Sequence, residues 1–354
     1  MDKYTENKYK LAEFLGKYNT VIFDMDGVIT AEEHYWDSAA LTVYQYIHSD
    51  RNVTIDPSDC MRRLDEIRAE IFINDKLIRA LKDRGVNSNW DLGYVTYLIY
   101  IITDGNPQKM YEFAQGFPNI LDVYDDIAER AAQKRNVRFE YYKRNGALWQ
   151  DMRDVFQEWF RGDGLFRKTY GKEPTICGKS GLVHDEKPMI PFEKLKALLY
   201  LMHKDGKAIC TGTGRPYDEI YTPLHEWGLF DLFKKDGFIT YDSVITAEKN
   251  LRDSGISVTL TKPAPFMFLK ALFGKDYPDK DIIEGNYDAD KIKEALVVGD
   301  AGADIIAAKA AGFDFAAVLT GISKNSARGY FESMKADYIL PSLADFVYET
   351  GKEV

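Results

Sequence analysis

Cysteine is scarce in this chain of 354 residues. Its three cysteines, Cys60, Cys177 and Cys210, are odd in number and far apart, with neither Cys-x-x-Cys nor zinc-type spacing. That excludes a disulfide framework and fits a reducing cytosol. Histidine is also sparse: His34, His48, His184, His203 and His225 are dispersed without a metal-binding pair. There is no Gly-x-Ser-x-Gly elbow of a serine hydrolase. Gly178-Lys179-Ser180 ends like a phosphate-binding P-loop, but Glu173 stands where that loop requires its upstream glycine. Long apolar runs are missing as well. The most apolar stretch, Tyr94 to Thr103, is too short to cross a bilayer and reads as a buried helix. Met1-Asp2-Lys3-Tyr4-Thr5-Glu6 carries no apolar signal segment, so the expectation is a cytoplasmic protein with no membrane association. A basic excess is absent too. The net charge of -10 argues against a general nucleic-acid binder, while a local Lys/Arg or metal site still leaves small anionic substrates open.

What is present is globular. Hydrophobic residues make up 45% and charged residues 29%, and the length suggests two domains rather than one. Residues 3 to 16 read as a short amphipathic helix, with Tyr4, Tyr9, Leu11, Phe14 and Leu15 available for an apolar face. From about Glu33 to about Glu186 the pattern is helical and rich in tyrosine and charge. It includes Trp36 to Ile47, Pro57 to Arg84, Trp90 to Thr103 and Asp122 to Arg135, with Gly162-Asp163-Gly164 among the loops between helices. After Lys187, strand and helix alternate. A helix runs from Phe192 to Lys204 and a strand from Lys207 to Cys210. Further strands are expected at Ala295 to Val298, Phe315 to Leu319 and Tyr338 to Leu340. Alternation of this kind implies βαβ units and a parallel sheet. The predicted fold is α/β, a doubly wound parallel sheet interrupted by a large helical insertion. Its domains are 1–32 with 187–354 as the core and 33–186 as the insertion.

Acidic residues gather at strand ends. Val21-Ile22-Phe23 reads as a strand buried on both faces, and it delivers Asp24 and Asp26 before the bend at Gly27. Pleating would aim the two carboxylates the same way, at the carboxyl ends of the strands, where ligands bind in open α/β sheets. An ordinary Asp-Gly turn fits the same residues. Past the strand that ends at Cys210, the turn Thr211-Gly212-Thr213-Gly214-Arg215-Pro216 offers backbone N–H groups that could cradle an anion. Thr211, Gly212, Gly214 and Arg215 are its candidate substrate contacts. Lys262 precedes Pro263, which disfavours helix there and keeps the lysine in a loop. Asp300 follows Val297-Val298-Gly299 at another strand end, with Asp304 in the first turn of the following helix. Helix capping alone would also explain an aspartate there.

Taken in order, these segments resemble the haloacid dehalogenase superfamily of phosphotransferases. Asp24, Asp26 and Val28 match its first motif, Asp-x-Asp-x-Val/Thr. Thr211 and Thr213 compete for the Ser/Thr of the second, where a Thr-Gly-Arg-Pro turn favours Thr213. Lys262-Pro263-Ala264-Pro265 matches Lys-Pro-x-Pro of the third, and Gly299-Asp300 with Asp304 matches the fourth. The resemblance covers roughly residues 18 to 30 and 187 to 345, and makes the insertion a type 1 cap, larger than usual.

The resemblance implies a Mg²⁺-dependent phosphatase acting on a small phosphorylated substrate through an aspartyl-phosphate, with Asp24 as nucleophile and Asp26 as general acid/base. Asp24, the backbone carbonyl of Asp26, and Asp300 would hold the ion, with Asp304 a ligand through water or a support; hard oxygen ligands suit Mg²⁺. Lys262 and Thr213 would stabilise the phosphoryl oxygens. The like charge of Asp24 is expected to help Asp26 keep its proton. A carbon–halogen hydrolase would not need an acid at Asp26. A sugar-phosphate mutase of the β-phosphoglucomutase kind remains an alternative, as does a non-enzymatic phospho-aspartate signalling module. His34, Tyr35 and Trp36 either face the substrate or pack at the hinge. Nothing in the sequence indicates the oligomeric state.

Overall fold

A computed structural model describes residues 8–86, 88–321 and 324–350. The chain divides into two compact units, one formed by Met1–Ala31 with Glu186–Val354 and the other by Glu32–Asp185.

The first unit is built on a six-stranded sheet. Strand β1, Tyr9–Leu11, stands apart from it; β2 is Thr20–Phe23, β3 Ala208–Gly212, β4 Phe238–Ile239, β5 Ala295–Gly299, β6 Asp314–Val318 and β7 Tyr338–Leu340. The spatial order is β4-β3-β2-β5-β6-β7, with every neighbouring pair parallel. The chain moves outward from β2 to β3 and β4, then returns to place β5 on the other side of β2. The direction of winding therefore reverses at β2, and such a switch point opens a crevice at the strands' carboxyl ends. The sheet is doubly wound, as the alternation of strands and helices implies. The two-residue β4 is too short to stand out as a pattern.

Both faces of this sheet are covered, which explains why its strands are apolar without alternation. Val21, Phe23, Ile209, Leu296 and Val298 belong to one buried cluster with Leu195 and Leu198 of the Phe192–Lys204 helix. Ile22, Cys210, Val297 and Phe315 face the other way, into a cluster with Phe268 and Ile305. Each Val or Leu buried in this way contributes about 1.5–3 kcal/mol.

The helix expected over residues 3 to 16 is replaced by other elements. Residues 3–7 lie outside the described residues, Tyr9–Leu11 is β1, and Glu13–Lys17 is a 3-10 helix. Strand β8, Val347–Glu349, pairs antiparallel with β1, and Tyr9 becomes buried. Tyr9 and Leu11 are spaced for a strand as much as for a helix, and the distant partner decides between them.

The second unit is helical. Its core joins the helices Glu33–Asp50, Asn89–Thr103 and Ala147–Tyr170 through Leu41, Val95, Leu98, Phe156 and Trp159. The apolar run is indeed a buried helix, opened by Ser88, whose side chain accepts from the Asp91 N–H at 3.3 Å. The helical stretch read from Pro57 to Arg84 consists of three helices, Pro57–Arg62, Leu64–Ile71 and Lys76–Lys82. Ile73, Asn74 and Asp75 all adopt positive φ, and Asn and Asp tolerate that region better than most residues. Gly162 separates two helices, as its sequence suggests, but by a one-residue kink rather than a longer loop. It breaks the helical path inside Ala147–Tyr170, with φ 74° and ψ 166°. No helix among the described residues is long and apolar enough to cross a membrane.

Candidate active site

Asp24 leaves the end of β2 with its N–H bonded to the Val298 carbonyl at 2.9 Å, which continues the β2–β5 ladder by one residue. The chain then folds tightly around one acceptor. The Met25 carbonyl receives the N–H groups of Val28, Ile29 and Thr30 at 3.2, 2.9 and 2.9 Å. Gly27 makes the reversal at φ +69°, which favours glycine. Asp24 is thereby buried, while the Asp26 side chain remains 33% exposed.

Lys262 lies in the segment before the Phe266–Phe273 helix, and its peptide bond to Pro263 is cis. Its Nζ stands 2.8 Å from Asp24 Oδ1 and 2.7 Å from Asp304 Oδ1. Burial opposes the ammonium, but these two carboxylates outweigh it and hold Lys262 above its ordinary value. Asp304 also caps the Gly302–Ala311 helix, accepting from the Ala301 N–H at 3.2 Å. Burial pushes its carboxyl above the usual range, although the Lys262 ammonium pulls the other way. The capping reading and the site reading of Asp304 are therefore both realised, one oxygen for each.

Asp300 completes the group. Asp24, Asp300 and Asp304 each offer one oxygen, and these lie within 4.8 Å of one another. Two glycines shape the space around Asp300. A Cβ on Gly27 would lie 2.3 Å from Asp300 Oδ2, and one on Gly321 would lie 2.2 Å from the same atom. Thr320 Oγ1 donates to the Gly27 carbonyl, tying the turn after β6 to the loop after β2. A hard divalent cation fits this all-oxygen donor set.

The turn after β3 departs from what its sequence suggested. Thr211 is fully buried and its hydroxyl donates to the Phe23 carbonyl at 2.8 Å, so it serves the sheet rather than a ligand. Gly212 is buried in the β3–β4 pairing, where a Cβ would meet Phe268 at 2.8 Å; packing explains it. Gly214 alone of the four is open, with nothing within 4 Å of an added Cβ. Arg215 is turned inward and only 2% exposed. Its guanidinium is engaged by the Asp26 and Glu186 carboxylates instead of facing an incoming anion. The charged group in contact with the Asp26 carboxyl is thus the Arg215 guanidinium. Thr213 sits one residue past the end of β3, its Oγ1 accepting from the Arg215 N–H at 3.2 Å.

In the helical unit, His34 binds Asp37 Oδ2 at 2.9 Å through Nδ1 and the Asp185 carbonyl at 2.8 Å through Nε2. Tyr35 stacks on Phe160 at 4.4 Å, and Trp36 lies against the Arg68 guanidinium at 5.0 Å.

A profile of the HAD-hydrolase-like family matches residues 259–346, a span that holds Lys262, Asp300 and Asp304. The chain is also similar to an X-ray structure of a Northeast Structural Genomics Consortium target. The identity is 28% over 92% of this chain and 97% of that one, with a TM-score of 0.77. The matched family agrees with the resemblance to the haloacid dehalogenase superfamily carried by the motifs. Weaker likenesses extend to phosphatase Tt82 from Thermococcus thioreducens, at 17% identity over 89% and 98% of the two chains and a TM-score of 0.48. A hydrolase from Pseudomonas syringae is similar at 17% identity over 93% and 95%, with a TM-score of 0.39. No curated protein matches the sequence.

Sequence reasoning missed Glu186, Thr320 and Gly321. Thr320-Gly321 follows β6, the strand beside β5, so its place at a strand end was the available signal. Glu186 carried none, because nothing local marks a glutamate whose partner stands 29 residues away.

Proposed function

We propose that the protein is a Mg²⁺-dependent phosphohydrolase that acts on a small phosphorylated metabolite through an aspartyl-phosphate. The observation that carries this reading is the ammonium of Lys262 shared between Asp24 and Asp304, with an Asp300 oxygen within 4.8 Å of an oxygen of each. Asp24 is the nucleophile. One of its oxygens bonds phosphorus as the bond to the leaving oxygen breaks. Lys262 and the Thr213 hydroxyl counter the charge on the transferring oxygens, so that catalysis rests on positioning and electrostatics. Asp26 gives its proton to the leaving oxygen, then takes one from the water that cleaves the acyl-phosphate. Asp24, Asp300 and the Asp26 carbonyl would hold the ion, with Asp304 supporting, and a divalent cation there supplies further positive charge to the phosphoryl group.

In the same reading, residues 33–186 are a cap domain inserted into a catalytic core of 1–32 and 187–354. The three unpaired cysteines agree with a cytoplasmic setting. The test is a panel of phosphorylated metabolites assayed for phosphate release with Mg²⁺, and with Asp24→Asn as control. Phosphate release that is abolished by chelator and by Asp24→Asn is expected. Activity that survives Asp24→Asn, or stable phospho-Asp24 without turnover, would overturn the proposal. Isomerisation of a sugar phosphate primed by its bisphosphate would assign a mutase instead.

A further inference from the structure

Arg215 stands at a crossroads of the core unit that its place in a ligand-binding turn does not explain. Its Nε donates to Asp26 Oδ1 at 2.5 Å, and a terminal nitrogen lies 2.5 Å from the same oxygen. Nη1 reaches Glu186 Oε2 at 3.2 Å, and Nη2, the terminal nitrogen beside Asp26, also donates to the Ala31 carbonyl at 3.3 Å. Ala31 and Glu186 are the residues at which the core unit gives way to the helical insertion and resumes after it. One side chain therefore holds Asp26 and both chain crossings.

The burial is graded. The Arg215 and Glu186 side chains are 1% and 0% exposed, while that of Asp26 is 33% exposed. Arg215 is itself fixed through its backbone: its N–H donates to Thr213 Oγ1, and its carbonyl accepts from the Tyr241 N–H at 2.9 Å. A guanidinium is a planar fork whose donors keep fixed mutual angles, so anchoring the terminal nitrogens on Glu186 and Ala31 fixes the direction of Nε. A half-exposed aspartate without such an anchor would sample several rotamers.

We propose that Arg215 is a positioning residue: anchored to Glu186 and Ala31, it holds the Asp26 carboxyl at the angle from which it serves the leaving oxygen. The proposal rests on the aspartyl-phosphate reading above. As the Asp24–phosphorus bond forms and the phosphorus–oxygen bond to the leaving group breaks, an alkyl leaving oxygen must take a proton from Asp26. An aryl leaving group of low pKa departs as its anion and needs none. Misplacing Asp26 therefore harms the two classes unequally, which a general loss of structure does not do.

The experiment compares kcat/KM, which reports the enzyme up to formation of the acyl-phosphate, for p-nitrophenyl phosphate and for an alkyl phosphomonoester. Arg215→Ala, Arg215→Lys and Glu186→Gln are each measured, with thermal unfolding as a check on the fold. Glu186→Gln keeps the shape of the anchor and remains informative if Arg215→Ala fails to fold. The expected result for Arg215→Ala and Glu186→Gln is a loss on the alkyl ester about 10-fold or more beyond that on the aryl ester, within the 10²–10⁴ range of general acid catalysis. Arg215→Lys, which keeps the charge and loses the fork, should fall between wild type and Arg215→Ala. Equal losses on both esters, or a change in KM alone, would overturn the proposal. If the wild type cleaves neither ester, or Asp24→Asn remains active, the aspartyl-phosphate reading itself fails and the positioning role falls with it.

Discussion

Lys262 is the residue on which the charge balance of the site depends. Two buried carboxylates, Asp24 and Asp304, approach its ammonium within 2.8 and 2.7 Å. Replacing it with methionine leaves them facing each other, and breaking a buried pair in this way costs about 3–5 kcal/mol. Urea unfolding in the presence of chelator should show that loss for Lys262→Met, and turnover with Mg²⁺ should fall by about 10² or more. Unchanged stability would mean that the carboxylates are neutral or move apart. Gly321 makes a different prediction. A methyl group there would stand 2.2 Å from Asp300 Oδ2, so the carboxylate has to turn away. Gly321→Ala should raise the Mg²⁺ concentration for half-maximal activity by about 10-fold or more while leaving the unfolding midpoint in chelator nearly unchanged. An unaltered Mg²⁺ dependence would remove Asp300 from the ion's ligands. The motif residues Asp24, Lys262, Asp300 and Asp304 were legible because each carries its chemistry in its own side chain. Gly321, which acts only by leaving room, was not.

Among the elements, the Ala147–Tyr170 helix shows most directly how one glycine differs from another. Gly162 has φ 74° and ψ 166°, a region essentially restricted to glycine, and its missing Cβ would lie 2.6 Å from the Ser180 carbonyl oxygen. Gly164, two residues later, is helical and has nothing within 4 Å of an added Cβ. The two alanine variants should therefore move in opposite directions. Gly162→Ala should destabilise by about 1–3 kcal/mol through backbone strain, with the clash in addition. Gly164→Ala should stabilise by about 0.5–1 kcal/mol, because it reduces the freedom of the unfolded chain. Denaturant unfolding of the full chain measures both, and a shared sign would contradict the kink. The break between helices at Gly162-Asp163-Gly164 was legible in the sequence, but which glycine makes it was not, because both look alike without their neighbours. The Asn89–Thr103 helix was legible for the opposite reason: it is apolar nearly all round, so its burial did not depend on which face met a partner.

For the molecule as a whole, the tie between the N-terminal segment and β6 links stability to pH. The Asp314 carboxylate receives Lys17 Nζ at 2.5 Å and the Tyr18 hydroxyl at 2.7 Å, across nearly 300 residues of sequence. Burial would raise its pKa, but these donors outweigh burial and hold it below the ordinary carboxylate value of 3.8. A carboxylate whose pKa is depressed by folding contributes stability above its unfolded value, and that contribution is lost as the pH falls toward the folded one. Stability of the wild type relative to Asp314→Asn should accordingly be constant from neutral pH down to about 4 and shrink below it. A difference that persists unchanged at lower pH would show that the Lys17 and Tyr18 contacts do not depend on ionised Asp314. Lys17 is largely exposed, so the buried Tyr18 hydroxyl carries most of the effect.

The sequence by itself determined the parallel sheet, the helical insertion and the residues that bear charge at the strand ends, because period, apolar runs and motif spacing are local properties. The tertiary structure decided between β1 and a helix, since only Val347–Glu349 supplies the missing hydrogen bonds. It decided that Thr211 serves the sheet and left Thr213 with its hydroxyl proton uncommitted to that ladder. It also turned Arg215 from an anion contact into the partner of Asp26 and Glu186. In each case the local pattern fits two environments equally well, and burial against a distant segment sets which polar group must be satisfied and by what.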